Sequence, residues 1–202
     1  MVRVKICGIC ELAAAAAAVE AGADLLGFHF CSSQRRVTPE EARAIVDQLA
    51  LRPSIVGVFI DQDPDEVRQI AEFVGLDWLQ LHGSEPVGFD AGRPVIKVLK
   101  VRDGVVPSAD GWPDPLMIDS WSSDQRGGTG QTWDWELARP LLSARKVFIA
   151  GGLEPGNVGR VVSRFKPHGV DVSSGVEAAV RVKDPDKVRA FVHAVRLAEV
   201  LA

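Results

Sequence analysis

Short apolar, β-branched runs recur along this chain, separated for the most part by amphipathic stretches, and that alternation narrows the fold more than any other feature. The runs are Val2–Ile6, Leu25–Phe30, Ser54–Phe59, Trp78–Leu81, Val95–Val98, Pro115–Ile118, Lys146–Ala150 and Gly169–Val172. Their hydrophobicity is near-continuous and does not alternate, as in parallel strands buried on both faces. The stretches between them carry helix-start chemistry. Asp63-Pro64, Asp184-Pro185 and Thr38-Pro39-Glu40-Glu41 each set a capping residue before a proline at the first helical position. Val188, Phe191, Val192 and Val195 then follow at the spacing of one buried helix face.

Strand–helix units in succession predict a parallel sheet. Eight of them favour an α/β fold closed as a single, compact (β/α)8 TIM barrel over residues 1–202, although about 200 residues is the small end for that fold. A doubly wound open sheet is the alternative architecture. The stretch Val101–Asp114 has no helical period, so a loop is expected in place of the fifth helix. The alanine run Ala13–Ala18 is strongly helix-forming and is expected to pack closely on the barrel.

With 202 residues, 47% hydrophobic and 25% charged, the chain has enough apolar surface for one domain with a real core. A net charge of −4 with Arg35-Arg36 as the densest basic pair argues against a nucleic-acid groove. The apolar run Leu12–Val19 is too short to span a bilayer. No charged-then-apolar leader is recognisable, so a cytoplasmic protein is expected. In that compartment three cysteines make structural disulfides an unlikely use of thiols.

Active sites of such barrels gather at the C-terminal ends of the strands. Cys7 ends the first strand, Asp119 the sixth, Gly151-Gly152 follow the seventh, and Asp171-Val172-Ser173-Ser174-Gly175 close the eighth. IAGGLEPGNV and DVSSGVE bring glycine and small residues to the start of helical turns, where backbone N–H groups and a helix dipole favour an anion. Loops after strands 7 and 8 are the usual phosphate site of the fold; the plainer reading is tight turns alone.

Cys7-Gly8-Ile9-Cys10 has the spacing of a redox dithiol or of half a zinc site. A dithiol belongs in a different fold, and Cys31 with His29, His82, His168 and His193 does not supply zinc spacing. The third reading is a proton-transferring thiol. Lys5, two residues earlier, faces the same way, and its ammonium is expected to favour the thiolate. Cys10 falls about where the first helix should be capped. Asp119 emerges from the apolar PLMI, so desolvation is expected to raise its pKa and keep a proton for donation; a strand-end loop cap is the plain alternative. His82 reads more readily as structural than as catalytic.

KICG (Lys5–Gly8), QLHG (Gln80–Gly83), the IDS–GGTGQTWDW region (Ile118–Trp135), GGLEPGNV (Gly151–Val158) and DVSSGVE (Asp171–Glu177) together resemble the phosphoribosylanthranilate isomerases of tryptophan biosynthesis. The likeness runs in order over nearly the whole chain. It implies a cofactor-free Amadori rearrangement of a small-molecule substrate, with no metal, no nucleic acid and no membrane partner, by a monomer or homodimer. Carried over residue by residue, the resemblance makes Cys7 the general base and Asp119 the general acid. Arg35, in the S-x-R-x-[IV]-[ST]-P pattern of SQRRVTP, would meet the anthranilate carboxylate, with Arg36 a weaker candidate. Asp171 would lie near the substrate's amino group. Gly151, Gly152, Ser173 and Ser174 would hold the phosphate.

Two departures stand out: Cys10 replaces the family's usual threonine, and Cys31-Ser32 stand in a shortened loop. A histidine-pathway sugar-phosphate isomerase or dual-substrate barrel is the nearest rival, but such barrels end strand 1 in aspartate. A thiol redox or metal protein built on Cys7 and Cys10 is a second, and a barrel that binds a phosphorylated ligand without catalysis a third.

Overall fold

The computed structural model describes residues 1–120 and 134–201. All eight expected strands form: β1 Arg3–Cys7, β2 Leu25–His29, β3 Ser54–Phe59, β4 Trp78–Leu81, β5 Val95–Val101, β6 Leu116–Ser120, β7 Val147–Ile149 and β8 Gly169–Val172. Each pairs in parallel with the next, and β1 pairs with β8 to close the barrel. The open-sheet alternative is thereby excluded.

Partner residues on neighbouring parallel strands share a face, so the register carries one orientation around the barrel. Lys5 lies opposite Leu25 and Asp171, Cys7 opposite Gly27, His29 opposite Val58, Val58 opposite Gln80, and Lys100 opposite Asp119. Leu25, Val56, Ile96, Val98, Met117, Phe148 and Ala150, with Trp78 against them, form the apolar filling of the same inward set. The functional candidates on the strands therefore sit on top of a packed plug. The other strand face packs against helices in a larger core that includes Ile6, Phe28, Ile55, Leu79, Phe191 and Val195.

Helices α1 Leu12–Glu20, α2 Pro39–Val46, α3 Pro64–Val74, α4 Arg139–Ala144, α5 Val158–Phe165 and α6 Pro185–Val200 surround the barrel. The predicted caps are present. Thr38 and Glu41 form a capping box, Asp63 accepts from the Asp65 N–H, and Asp184 from those of Asp186 and Lys187. Ala14, Ala15, Ala17 and Ala18 of α1 are buried, so the alanine run does lie close on the sheet. Cys10 does not cap α1. The cap is Glu11, which makes no side-chain cap bond, and the Cys10 thiol donates to the Gly8 and Arg35 carbonyls at 3.6 and 3.5 Å. None of the helices in the described residues is long and apolar enough to cross a membrane.

The expected loop in place of the fifth helix is found between β5 and β6. The connection from β4 to β5 also lacks a helix, which the sequence pattern did not predict. Polar and aromatic groups cover the sheet there instead. Lys97 Nζ donates to Glu85 Oε2 and to the Gly83 carbonyl, each at 2.6 Å, and lies 5.0 Å from the centre of the Trp112 ring. Glu85 Oε1 accepts the Asp61 and Gly83 N–H groups. After β8 come a short 3-10 turn, Ser174–Val176, and a hairpin, β9 Glu177–Ala179 with β10 Val182–Lys183.

The closing seam, β1 against β8, contains a buried ion pair. Lys5 has no solvent exposure, and its Nζ donates to Asp171 Oδ1 at 2.7 Å. Removing one member strands the other charge in the barrel. We expect Lys5→Met to lower the unfolding free energy in urea by about 3–5 kcal/mol, and Lys5→Met with Asp171→Leu to recover most of it. A loss below about 1 kcal/mol for the single variant contradicts this, being the range of ordinary surface changes.

Candidate active site

One cavity opens at the C-terminal ends of the strands. Cys7, His29, Arg35, Gln80, His82, Asp119, Gly151, Gly152, Asp171, Ser173 and Ser174 all line it. Every site residue selected from the sequence therefore reaches the same opening. Of the IDS–GGTGQTWDW stretch, residues 121–133 lie outside the described residues.

Cys7 projects from the end of β1 above Lys5. Gly27 on β2 makes room for both, since a Cβ there would lie 2.8 Å from Cys7 Sγ and 3.0 Å from Lys5 Nζ. Burial pushes the Cys7 thiol up, and Asp171 adds to this, while Lys5 pulls the other way by charge and hydrogen bond. The net direction is upward. Lys5 does favour the thiolate, as expected, but it does not carry the balance. The ammonium is shared with Asp171, and desolvation of the sulfur outweighs what remains. For Lys5 itself burial opposes the charge, but Asp171 and Cys7 outweigh it and hold the lysine protonated.

Asp119 lies at the C-terminal end of β6, one residue before its last. Burial, and next the Asp171 carboxylate, push it up to about 6, against the Ser120 N–H and the Lys100 charge. Its Oδ1 accepts that N–H at 2.7 Å. The site thus holds a carboxyl that keeps its proton up to about pH 6 and a thiol that keeps its own through neutrality. Cys10 and Cys31 are free thiols, and burial raises the pKa of each. Among the described residues no group of three or more His, Cys, Asp or Glu side chains is arranged to hold a metal ion.

Gly151 and Gly152 both adopt the left-handed region, with φ of 81° and 70°. At Gly151 a Cβ would also press to 2.7 Å on Asp119 Oδ1 and the Ser120 nitrogen, so the anion loop and the acid are packed together. The Gly152 carbonyl accepts from Asn157 Nδ2 at 2.8 Å, which pins the turn. Ser173 and Ser174, just after β8, line the same cavity.

Arg35 lines the cavity, but its fork already faces a carboxylate of the protein. Nε and Nη2 donate to the two oxygens of Glu177 at 2.8 and 2.7 Å. Lys183 Nζ reaches Glu177 Oε1 at 3.0 Å and the Ser173 carbonyl at 3.0 Å. Burial opposes the Glu177 charge, yet Arg35 and Lys183 hold its pKa below the usual value. Arg36 is exposed, and its carbonyl accepts from Arg181 at 2.8 Å.

The sequence reading did not assign Glu177, Lys183 or Ser33 to the site, and considered His29 only as a zinc ligand. The signal for His29 was the inward alternation of β2, Leu25, Gly27, His29. Its Nε2 lies 3.3 Å from Cys7 Sγ and its Nδ1 2.9 Å from Ser33 Oγ. Burial, then Lys5, Arg35 and Lys183, push its pKa down to about 3. His82 is also neutral, pushed well down by burial and then by Lys100, and it lies 2.6 Å from Gln80 Nε2.

Residues 4–194 match the family model described as N-(5'-phosphoribosyl)anthranilate (PRA) isomerase. The N-(5'-phosphoribosyl)anthranilate isomerase of Pelobacter propionicus is 44% identical over 197 residues, covering 95% of this chain and 94% of that protein. The crystal structure of phosphoribosyl anthranilate isomerase from Thermus thermophilus superposes with a TM-score of 0.87 at 39% identity, over 98% of this chain and 99% of that one. Another solved structure, a phosphoribosyl anthranilate isomerase in complex with reduced 1-(o-carboxyphenylamino)-1-deoxyribulose 5-phosphate, matches with a TM-score of 0.83 at 35% identity, over 97% and 99% of the two chains. The likeness seen in the motifs is thus carried by the whole barrel, and this chain belongs to the N-(5'-phosphoribosyl)anthranilate isomerase family.

Proposed function

We propose that this chain converts N-(5-phosphoribosyl)anthranilate to 1-(2-carboxyphenylamino)-1-deoxyribulose 5-phosphate in tryptophan biosynthesis, with Asp119 as general acid and Cys7 as general base. The observation that carries the assignment is the common cavity. A carboxyl held up to about 6 and a thiol face it from β6 and β1, beside the two glycine- and serine-bearing loops after β7 and β8.

Asp119 gives its proton to the furanose ring oxygen, and the ring opens as the anilino nitrogen forms an iminium with C1. The positive nitrogen acidifies the C2 proton, and Cys7 takes it to leave an enamine that tautomerises to the ketose. An acid poised near neutrality suits the first step. The cysteine is suited to the second as its thiolate, so the thiol proton has to leave during the cycle. In this reading Gly151, Gly152, Ser173 and Ser174 cradle the phosphate with backbone N–H and hydroxyl donors. Arg35, braced by Glu177, supplies positive charge for the aromatic carboxylate, and Asp171 lies by the amino group. The reaction is that of a small molecule in the cytoplasm. A redox dithiol is disfavoured because Cys10 donates to backbone carbonyls away from the acid–base pair.

The fluorescence decrease of phosphoribosylanthranilate tests the assignment. Cys7→Ala and Asp119→Ala are each expected to lose about a hundredfold or more in kcat, while Cys10→Thr stays within about threefold of wild type. Wild-type protein that leaves the substrate to its spontaneous decay contradicts the function. Equal loss in Cys10→Thr and Cys7→Ala contradicts the acid–base roles in favour of the dithiol.

A further inference from the structure

A thiol that holds its proton is a poor base, and the proposed chemistry needs that proton moved. The groups around the sulfur restrict where it can go. Lys5 is a cation hydrogen-bonded to Asp171, so it has no lone pair to offer, and Asp171 is itself engaged by that ammonium. Cys31 shares a small apolar cluster with Cys7 and Val58, but it is a second protonated thiol. Among the described residues the neutral group with a lone pair in reach is His29, whose Nε2 lies 3.3 Å from Cys7 Sγ.

We propose that His29 is a positioning and proton-accepting residue for this isomerisation, taking the Cys7 thiol proton on Nε2 so that Cys7 meets the substrate as thiolate. The inference rests on the reading of Cys7 as the general base. The ring is oriented for the task. Ser33 Oγ already accepts the Arg35 backbone N–H at 3.1 Å, and in this proposal its second lone pair accepts the N–H of His29 Nδ1 at 2.9 Å. That tautomer turns the bare Nε2 toward sulfur. The result is a thiol, a base and a third group that aims the base, as in activated nucleophiles generally. It differs in that the sulfur here receives a proton and forms no bond to carbon.

The protons balance over a cycle. The S–H bond breaks and an Nε2–H bond forms, with sulfur keeping the electron pair. The thiolate takes the C2 proton, the C2–H pair becomes the C1=C2 bond, and the iminium pair returns to nitrogen. Cys7 is a thiol again and His29 an imidazolium. Asp119, left as carboxylate by ring opening, lacks one proton, and the proton on His29 makes up the deficit as product leaves. Burial, and then the cations Lys5, Arg35 and Lys183, hold His29 neutral, against the charge of Glu177. The phosphate and carboxylate of the substrate and the newly ionised Asp119 add negative charge to the same cavity, which raises the proton affinity of His29 and of Cys7 alike, and the mutual attraction of imidazolium and thiolate 3.3 Å apart holds the transferred pair.

This arrangement has its own pH signature. With an internal acceptor, the competent free enzyme is the fully neutral set of thiol, imidazole and Asp119 carboxyl. kcat/KM then falls as pH rises above about 6, where Asp119 ionises. Without an acceptor the thiol must first lose its proton to solvent. The competent form then pairs a thiolate with a protonated Asp119, and kcat/KM instead climbs to about pH 6 and stays level until the Cys7 thiol itself ionises.

His29→Gln preserves polar contacts but cannot take a proton. It is expected to lose about a hundredfold in kcat with KM within about threefold, and to change from the falling to the level profile. Wild-type kcat in His29→Gln, or a lower kcat with the falling profile kept, overturns the inference. Should His29→Gln not fold, His29→Ala with added imidazole decides. Turnover restored by imidazole but not by pyrrole supports the proposal, and no restoration by either overturns it. Cys7→Ala run in parallel separates the two readings. Wild-type turnover in Cys7→Ala removes the general base itself, whereas an inactive Cys7→Ala beside an unaffected His29→Gln removes only the role of His29.

Discussion

The ammonium of Lys5, enclosed in the barrel and bonded to Asp171, is the interaction on which the site most depends. It lies where the first and last strands meet, and the register that sets Lys5 opposite Asp171 also sets Cys7 at the mouth. A charge in that position cannot be left unpaired, so the seam has a defined partner and the strands a defined register. The same pair occupies the cation nearest the sulfur. Gly27 provides the space for both groups, and a methyl group there would crowd each of them.

Desolvation at the mouth then sets the proton inventory. It raises Asp119 to about 6, raises Cys7, and lowers His29 to about 3, so below about pH 6 the site holds its protons on the carboxyl and the thiol and leaves the imidazole bare. Burial acts in opposite directions on acids and bases because it penalises the charged form of each. A site of neutral groups is ready to receive a dianionic phosphate and a carboxylate. The charges that remain, Lys5 with Asp171 and Glu177 between Arg35 and Lys183, are mutually paired and serve to hold side chains in place.

Much of this was legible from local pattern. Strand positions followed from apolar runs, helix starts from Thr38-Pro39, Asp63-Pro64 and Asp184-Pro185, and the absent helix after β5 from a stretch without period. Strand ends identified Cys7, Asp119, Asp171 and the glycine loop. Other features depended on groups distant in sequence. Lys97, Glu85 and Trp112 together cover the sheet where a helix is missing after β4, and no one of them announces this alone. Glu177 meets Arg35 only because the hairpin after β8 folds beside the loop after β2. The charge state of Cys7 was not legible because it turns on two opposing effects, burial and Lys5, whose balance is set by depth. His29 required the inward parity of β2 to be followed one residue pair past Gly27.

The central claim is that burial raises the proton affinity of both the Asp119 carboxyl and the Cys7 thiol at one mouth. Difference infrared spectroscopy over a pH series reads both groups, with Asp119→Asn and Cys7→Ala subtracted to assign the bands. The account predicts a carboxylic C=O band that disappears with a midpoint near 6, and an S–H band from Cys7 that persists through neutral pH. A carboxyl that titrates at the ordinary aspartate value of about 3.9, or no Cys7 S–H band at neutrality, would contradict it.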